Sequence, residues 1–343
     1  MAATVRSDVI IPEVFTPYVL EATTARDAFL ASGVVQPMAE LNATEGGDFV
    51  SVPFWKANLS GDFEVLTDST SLTVGNITAD KQVGVLLHRG RAFESRDLAA
   101  LAAGSDPMAA IGDKLGEYIA NQRQKDLIQC LAGVFGSLNT NTNSSAFFDL
   151  TIDSEATDTP TTLSPRHVAE ARALLGDQGE KLTAVCMHSK VYYDLVERRA
   201  IDYVSTDDAR GTSTTQSGGS MAAAYGGGVG VPTYMGLRVI VSDDVETTGS
   251  GATTEYGTYF FTQGAVASGE QAGTRIETDR DILSKSDALS VDLHYCYHPV
   301  GAKWGVTTVN PTRAQLATVG NWAKVYELKN IGMVRATNVS NMD

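Results

Sequence analysis

The densest run of ligand-type side chains in the 343-residue chain is Val291-Asp292-Leu293-His294-Tyr295-Cys296-Tyr297-His298-Pro299. Strand periodicity puts His294, Cys296 and His298 on one face. Imidazole, thiolate and imidazole could fill three positions around a tetrahedral zinc ion. Side chains two residues apart on a strand stand about 7 Å from each other, so convergence would need a sharp bend. No fourth ligand lies nearby, and the run is read as a polar sheet face in contact with another subunit.

Other candidates fail on chemistry or spacing. Gly226-Gly227-Gly228-Val229-Gly230 fits no GxGxxG register, and no Lys-Ser/Thr follows it as a phosphate loop requires. Gly218-Gly219-Ser220-Met221-Ala222 lacks the last glycine of a nucleophile elbow and sits in low-complexity sequence. The carboxylate pairs Asp207-Asp208, Asp243-Asp244 and Asp279 with Asp281 all fall near turns, where solvation is the ordinary state. No catalytic, cofactor-binding or metal-binding residue is assigned, and the chain is read as not an enzyme.

Charge narrows the partners. Asp and Glu number 41 against 26 Lys and Arg, a formal net charge of -15. Proteins that grip phosphate backbones cluster their basic residues, and here the densest groups are only Arg89/Arg91 and Arg198/Arg199. Specific nucleic-acid binding is not expected on this ground, whereas merely enclosing nucleic acid is compatible with it. Cys130, Cys186 and Cys296 lie far apart with no CxxC spacing and are expected as buried free thiols. No run approaches the roughly 20 apolar residues of a membrane span. MAATVRSDVIIPEVF has no secretory pattern, so a cytosol-like site of synthesis is expected.

The elements follow from spacing. Pro12, Pro17, Pro37 and Pro53 punctuate residues 1–55, an apolar arm with one short helix over Tyr18–Leu30 that ends near Gly33. Phe49–Trp55 and Gln82–Leu87 alternate as strands around a long polar excursion, the pattern of a protruding hairpin. Met108, Ile111, Leu115 and Ile119, continued by Leu127, Leu131 and Val134, predict a helix from Pro107, capped by Asp106 and ended by Gly136. Residues 137–160 read as surface. Ser164-Pro165 starts a helix running to Gly176, Leu182–Met187 is a buried strand, and Ser189 is expected to cap a second helix. Residues 205–232 are Ser/Thr/Gly-rich and expected as a flexible loop. Strands are predicted at 237–241, 256–262, 274–280 and 289–298. Asn310-Pro311 is expected as a cap, and Ile331–Val334 as the last strand.

Several stretches, in order, resemble the major capsid proteins of tailed bacteriophages. They are Ser164-Pro165-Arg166 through Leu175-Gly176-Asp177; Met187-His188-Ser189-Lys190-Val191-Tyr192-Tyr193-Asp194-Leu195; Tyr234–Asp244; Tyr259–Val266; Arg280-Asp281; and His298–Trp304, with Asn321-Trp322 as a tail element. The resemblance implies an α+β fold shared with encapsulins and the herpesvirus shell floor. It divides the chain into an N-terminal arm (1–55), an extended loop (56–90) and a peripheral domain with a spine helix at 107–135 (91–160). An axial domain with the 205–232 loop and returning peripheral strands (161–290) and a C-terminal peripheral segment (291–343) complete it. It further implies hexamers and pentamers of an icosahedral virion shell, assembled in the host cytoplasm and enclosing double-stranded DNA.

Many relatives begin with a long scaffolding segment. Here the arm starts almost at Met1, so a separate scaffolding protein is expected, together with a portal and a possible decoration protein. Relatives that crosslink use a Lys–Asn bond; Lys56 and Lys81 lie in the loop with no evident partner, and noncovalent locking is expected. An encapsulin-like nanocompartment is the alternative. A metal-dependent enzyme built on His294, Cys296 and His298 is the rival from another class.

Overall fold

The computed structural model describes residues 28–42, 46–56, 77–98, 101, 107–136, 138, 146–152, 161–205, 230–251 and 254–342. In chain order its elements are α1 (Ala28–Ser32), β1 (Val35–Pro37), β2 (Phe49–Trp55), β3 (Ala79–Val85), β4 (Leu87–Arg96), α2 (Pro107–Phe135), β5 (Thr151–Ile152), α3 (Pro165–Leu175), β6 (Leu182–Met187) and α4 (Ser189–Glu197). There follow β7 (Asp202–Ser205), β8 (Gly230–Tyr234), β9 (Leu237–Val241), β10 (Thr247–Thr248), β11 (Glu255–Thr262), β12 (Val266–Asp281), β13 (Ser286–Pro299), β14 (Ala302–Trp304), α5 (Arg313–Leu316), β15 (Trp322–Lys324) and β16 (Met333–Val339).

Two sheets organise the molecule. The first, in the order β1-β12-β13-β4, is dominated by the long β12–β13 hairpin. The second has eight strands, β5-β16-β11-β6-β9-β8-β7 with β10 on β11. Each gathers strands from distant segments, so neither coincides with a contiguous stretch of sequence. β11 is buried along nearly its whole length, as an interior strand covered on both faces must be. A tight turn joins β8 to β9, with positive φ at both Met235 and Gly236, the geometry whose twist suits a two-residue hairpin.

α2 spans 29 residues, about 40 Å. Its predicted stripe is core: Leu115, Ile119, Leu127, Leu131 and Val134 are buried. Gly136 ends it with φ +83° and donates its N–H to the Ala132 carbonyl at 2.8 Å. Gly133 is where the C-terminal segment crosses the helix. A Cβ there would stand 1.9 Å from the Leu316 carbonyl oxygen and 2.6 Å from Trp322 Nε1, so only glycine admits the approach.

Several expectations need correction. The arm, expected to lie across its own subunit or a neighbour's, lies on its own subunit over its described part: Phe29 and Val34 are core residues, β1 pairs in parallel with β12, and Phe29 meets the Phe261 ring edge-on. Residues 146–152 are not surface, because Phe147, Leu150 and Ile152 are buried beneath the end of α2. α4 is capped by the His188 side chain, which accepts from Lys190 N, rather than by Ser189. The C-terminal helix is capped by Thr312 in a reciprocal pair with Gln315, while Asn310 takes a left-handed conformation. The last strand begins at Met333 and runs to Val339, and the strands predicted at 274–280 and 289–298 are the cores of longer ones. Asp106, the Tyr18–Leu30 helix up to residue 27, the hairpin's far end (57–76) and residues 206–229 lie outside the described residues.

Candidate functional site

The His/Cys run divides inside its own chain. Cys296 and His298 are buried, not offered to a neighbour, because β3 passes over them at Gly84, whose added Cβ would stand 3.0 Å from Cys296 Sγ. His298 Nε2 lies 3.0 Å from Gln82 Oε1, and the Gly301 N–H reaches that oxygen at 3.3 Å. Gln82 in turn donates from Nε2 to the Tyr326 hydroxyl at 2.6 Å. This orients the amide and makes Nε2 the protonated nitrogen of His298. Burial lowers the His298 pKa to about 4, and it pushes the Cys296 thiol up to about 12. His294, on the same face of β13, is engaged instead by His88 on β4. The three do not converge, and no group of three or more His, Cys, Asp or Glu able to hold a metal exists among the described residues.

What this cluster does is fix the root of the β2–β3 hairpin. Phe54 packs edge-on against Tyr326 at 4.8 Å, Leu86 N–H bonds Asp48 O, and Lys56 pairs with Asp80 at 2.8 Å. The hairpin leaves the body on a rigid base. Trp55 stays 68% exposed at its edge.

A second cluster has no counterpart in the sequence reading. Asp126, fully buried in α2, accepts from Tyr295 Oη at 2.6 Å, Arg313 Nε at 2.5 Å and Arg89 Nε at 3.2 Å. Arg89 also donates to Asn310 Oδ1 and the Pro311 carbonyl, and Arg313 to Gln122. One carboxylate thus ties the spine helix, the neighbouring strands β13 and β4 of the first sheet and the C-terminal segment. The signal available in sequence was a charge interrupting an apolar stripe. Asp243 and Asp244 follow β9 near His188 and Lys125, and Asp279 and Asp281 are exposed, so neither of these pairs lies in a cleft; Asp207-Asp208 lies outside the described residues.

The third feature is the far end of the first sheet. Ile282 (80% exposed) and Leu283 (95%) form the β12–β13 turn. Leu98 (77%) and Leu101 (79%) follow β4 at the same end, where Asp97 N–H bonds the Lys285 carbonyl. The neighbouring charges are satisfied within the chain, since Arg280 bridges Asp97 at 2.7 Å and Asp287 at 2.8 Å. What remains on offer is aliphatic surface, which an isolated soluble body seldom gathers at one place.

Solved shells share this architecture. The chain aligns with the capsid of Ralstonia phage GP4 (TM-score 0.55, 12% identity, 90% of this chain and 87% of that one). It aligns equally with the cyanophage Pam1 capsid asymmetric unit (TM-score 0.54, 13% identity, 90% and 89%). The chain therefore has the fold of phage capsid subunits. Residues 37–332 match the family model of Gp13-like proteins, described as major capsid protein 13-like, and the chain is 36% identical to the major capsid protein of Bacillus phage SPP1 over 98% of both chains. The chain belongs to this Gp13-like major capsid protein family. An encapsulin-like shell is not favoured, because these matches are to phage capsid proteins.

Proposed function

We propose that copies of this chain form hexamers and pentamers of an icosahedral shell enclosing double-stranded DNA. The observation that carries the reading is the aliphatic tip of Leu98, Leu101, Ile282 and Leu283 beside already paired charges. Burying such side chains against a neighbour is favourable by about 25 cal/mol per Å². A closed shell repeats that gain at every contact. The eight-stranded lobe serves as the axial domain at capsomer centres, and the β2–β3 hairpin reaches onto adjoining copies. Net negative charge and the lack of basic clusters suit a wall that encloses DNA without gripping it. A separate scaffolding protein and a portal complete the assembly, with a decoration protein as an optional addition, and the role is structural, not catalytic.

Replacing both tip residues, Ile282→Asp with Leu283→Asp, tests this. Both are exposed, so the subunit should keep its circular dichroism and melting temperature. It should no longer close into shells when co-expressed with the scaffolding protein of its own gene cluster. Normal particles in electron micrographs of the double variant would overturn the assignment of the tip.

A further inference from the structure

His88 and His294 remain after the known roles are assigned. They are direct partners across β4 and β13, with ring centroids 4.8 Å apart and their Nδ1 atoms 2.6 Å apart. Two imidazole nitrogens facing each other at that distance hold one proton between them. A cation bound by both can replace it. The His88 side chain is 30% exposed, so an ion can enter from solvent. Its other nitrogen, Nε2, lies 3.9 Å from Asp48 Oδ1. That places a carboxylate near the ligand ring, within a small side-chain shift of the hydrogen bond that orients metal-binding histidines.

The charges on this face are mixed, Asp292 favouring a cation and its β12 register partner Arg275 opposing one. Arg89 projects to the opposite face of β4 and is engaged by Asp126. On the histidine face the next pair along is Gly90 with Asp292, and the Asp292 carboxylate lies over Gly90, 2.6 Å from where a Cβ would be. Geometry asks little. Two bonds of about 2.0–2.1 Å at a tetrahedral angle put the nitrogens about 3.3 Å apart, so the rings must separate by less than about 1 Å.

We propose that His88 and His294 form a two-histidine site for a divalent transition-metal ion such as zinc, clipping β4 to β13 with water completing the coordination. Imidazole ligands select zinc, nickel and copper over magnesium and calcium. The site is distinct from the His294, Cys296 and His298 trio considered from the sequence.

The test is calorimetric titration of zinc into chelator-treated full-length chain at pH 7.5, with magnesium as control. One zinc ion per chain is expected, with magnesium inert. His88→Gln and His294→Gln should each weaken binding by about a hundredfold or more. Asp48→Asn should weaken it by about tenfold, as loss of a second-sphere partner does. Cys296→Ser should leave it unchanged. Cobalt bound to the wild-type chain should lack the charge-transfer band of a thiolate ligand, a readout that does not depend on any variant folding. The proposal is overturned by absence of stoichiometric zinc binding, which would leave the pair a simple hydrogen bond. Binding that survives either histidine variant, or a thiolate band, would overturn it equally.

Discussion

Replacing Asp126 by alanine should be among the costliest single changes in the molecule outside the apolar core. The carboxylate is fully buried and accepts from Tyr295, Arg89 and Arg313. Removing one partner of a fully buried ion pair costs about 3–5 kcal/mol. The Arg89 side chain is 25% exposed and Arg313 39%, so both guanidiniums can turn partly to water, and that range is a ceiling for the charge. Tyr295 has no such exit; its buried hydroxyl, left without an acceptor, adds about 1–3 kcal/mol. A total near 3 kcal/mol is expected for Asp126→Ala. Asp126→Asn should cost about 2 kcal/mol, because an amide keeps one acceptor but not the charge. Urea unfolding of the unassembled subunit measures both, with the buried Trp304 and Trp322 as fluorescence probes. A loss below about 1 kcal/mol for the alanine variant would refute the account of Asp126 as the joint.

Two further outcomes follow from named contacts. His298 has its folded pKa lowered to about 4 by burial, against an ordinary value near 6.5, so between those pH values the unfolded chain binds more protons. Its stabilising contribution is complete above about pH 6.5 and is lost as pH falls toward 4, by about 3 kcal/mol in total. His298→Gln should flatten the urea-unfolding profile over that window, and parallel profiles for variant and wild type would contradict it. Gly133→Ala forces a Cβ into the Leu316 carbonyl and should destabilise by about 3 kcal/mol, read as a lowered melting temperature. An unshifted melting curve would show that the C-terminal crossing can yield.

What the sequence disclosed was what repeats locally. The α2 stripe, the Leu182–Met187 strand and the Leu237–Val241 strand are each specified by residues within a few positions of one another, and each lies where periodicity put it. The β12–β13 hairpin was seen only in part: Leu289, Val291 and Leu293 alternate and announce β13, whereas the first half of β12, Val266 to Gly273, consists of small and polar residues without a sustained alternation. The joint at Asp126 was invisible for a different reason. Its partners lie 37, 169 and 187 residues away, and no local pattern announces a carboxylate whose cations are so distant. The His/Cys run was legible as chemistry but misplaced. Strand periodicity grouped its three side chains correctly by parity, yet gave no warning that β3 would cover Cys296 and His298 and that His88 would claim His294.

The same long separations set a schedule for synthesis. β4 finds its neighbour only when β13 emerges about 190 residues later, and the Asp126 joint closes only once Arg313 has been made. At 5–20 residues per second, β4 waits roughly 10–40 s on the ribosome without its partner. Through nearly all of that interval Ile282 and Leu283 have not been made, so the nascent chain carries only the Leu98 and Leu101 half of the aliphatic tip. The tip is thus completed only late in synthesis, a timing written into strand order rather than into any single residue.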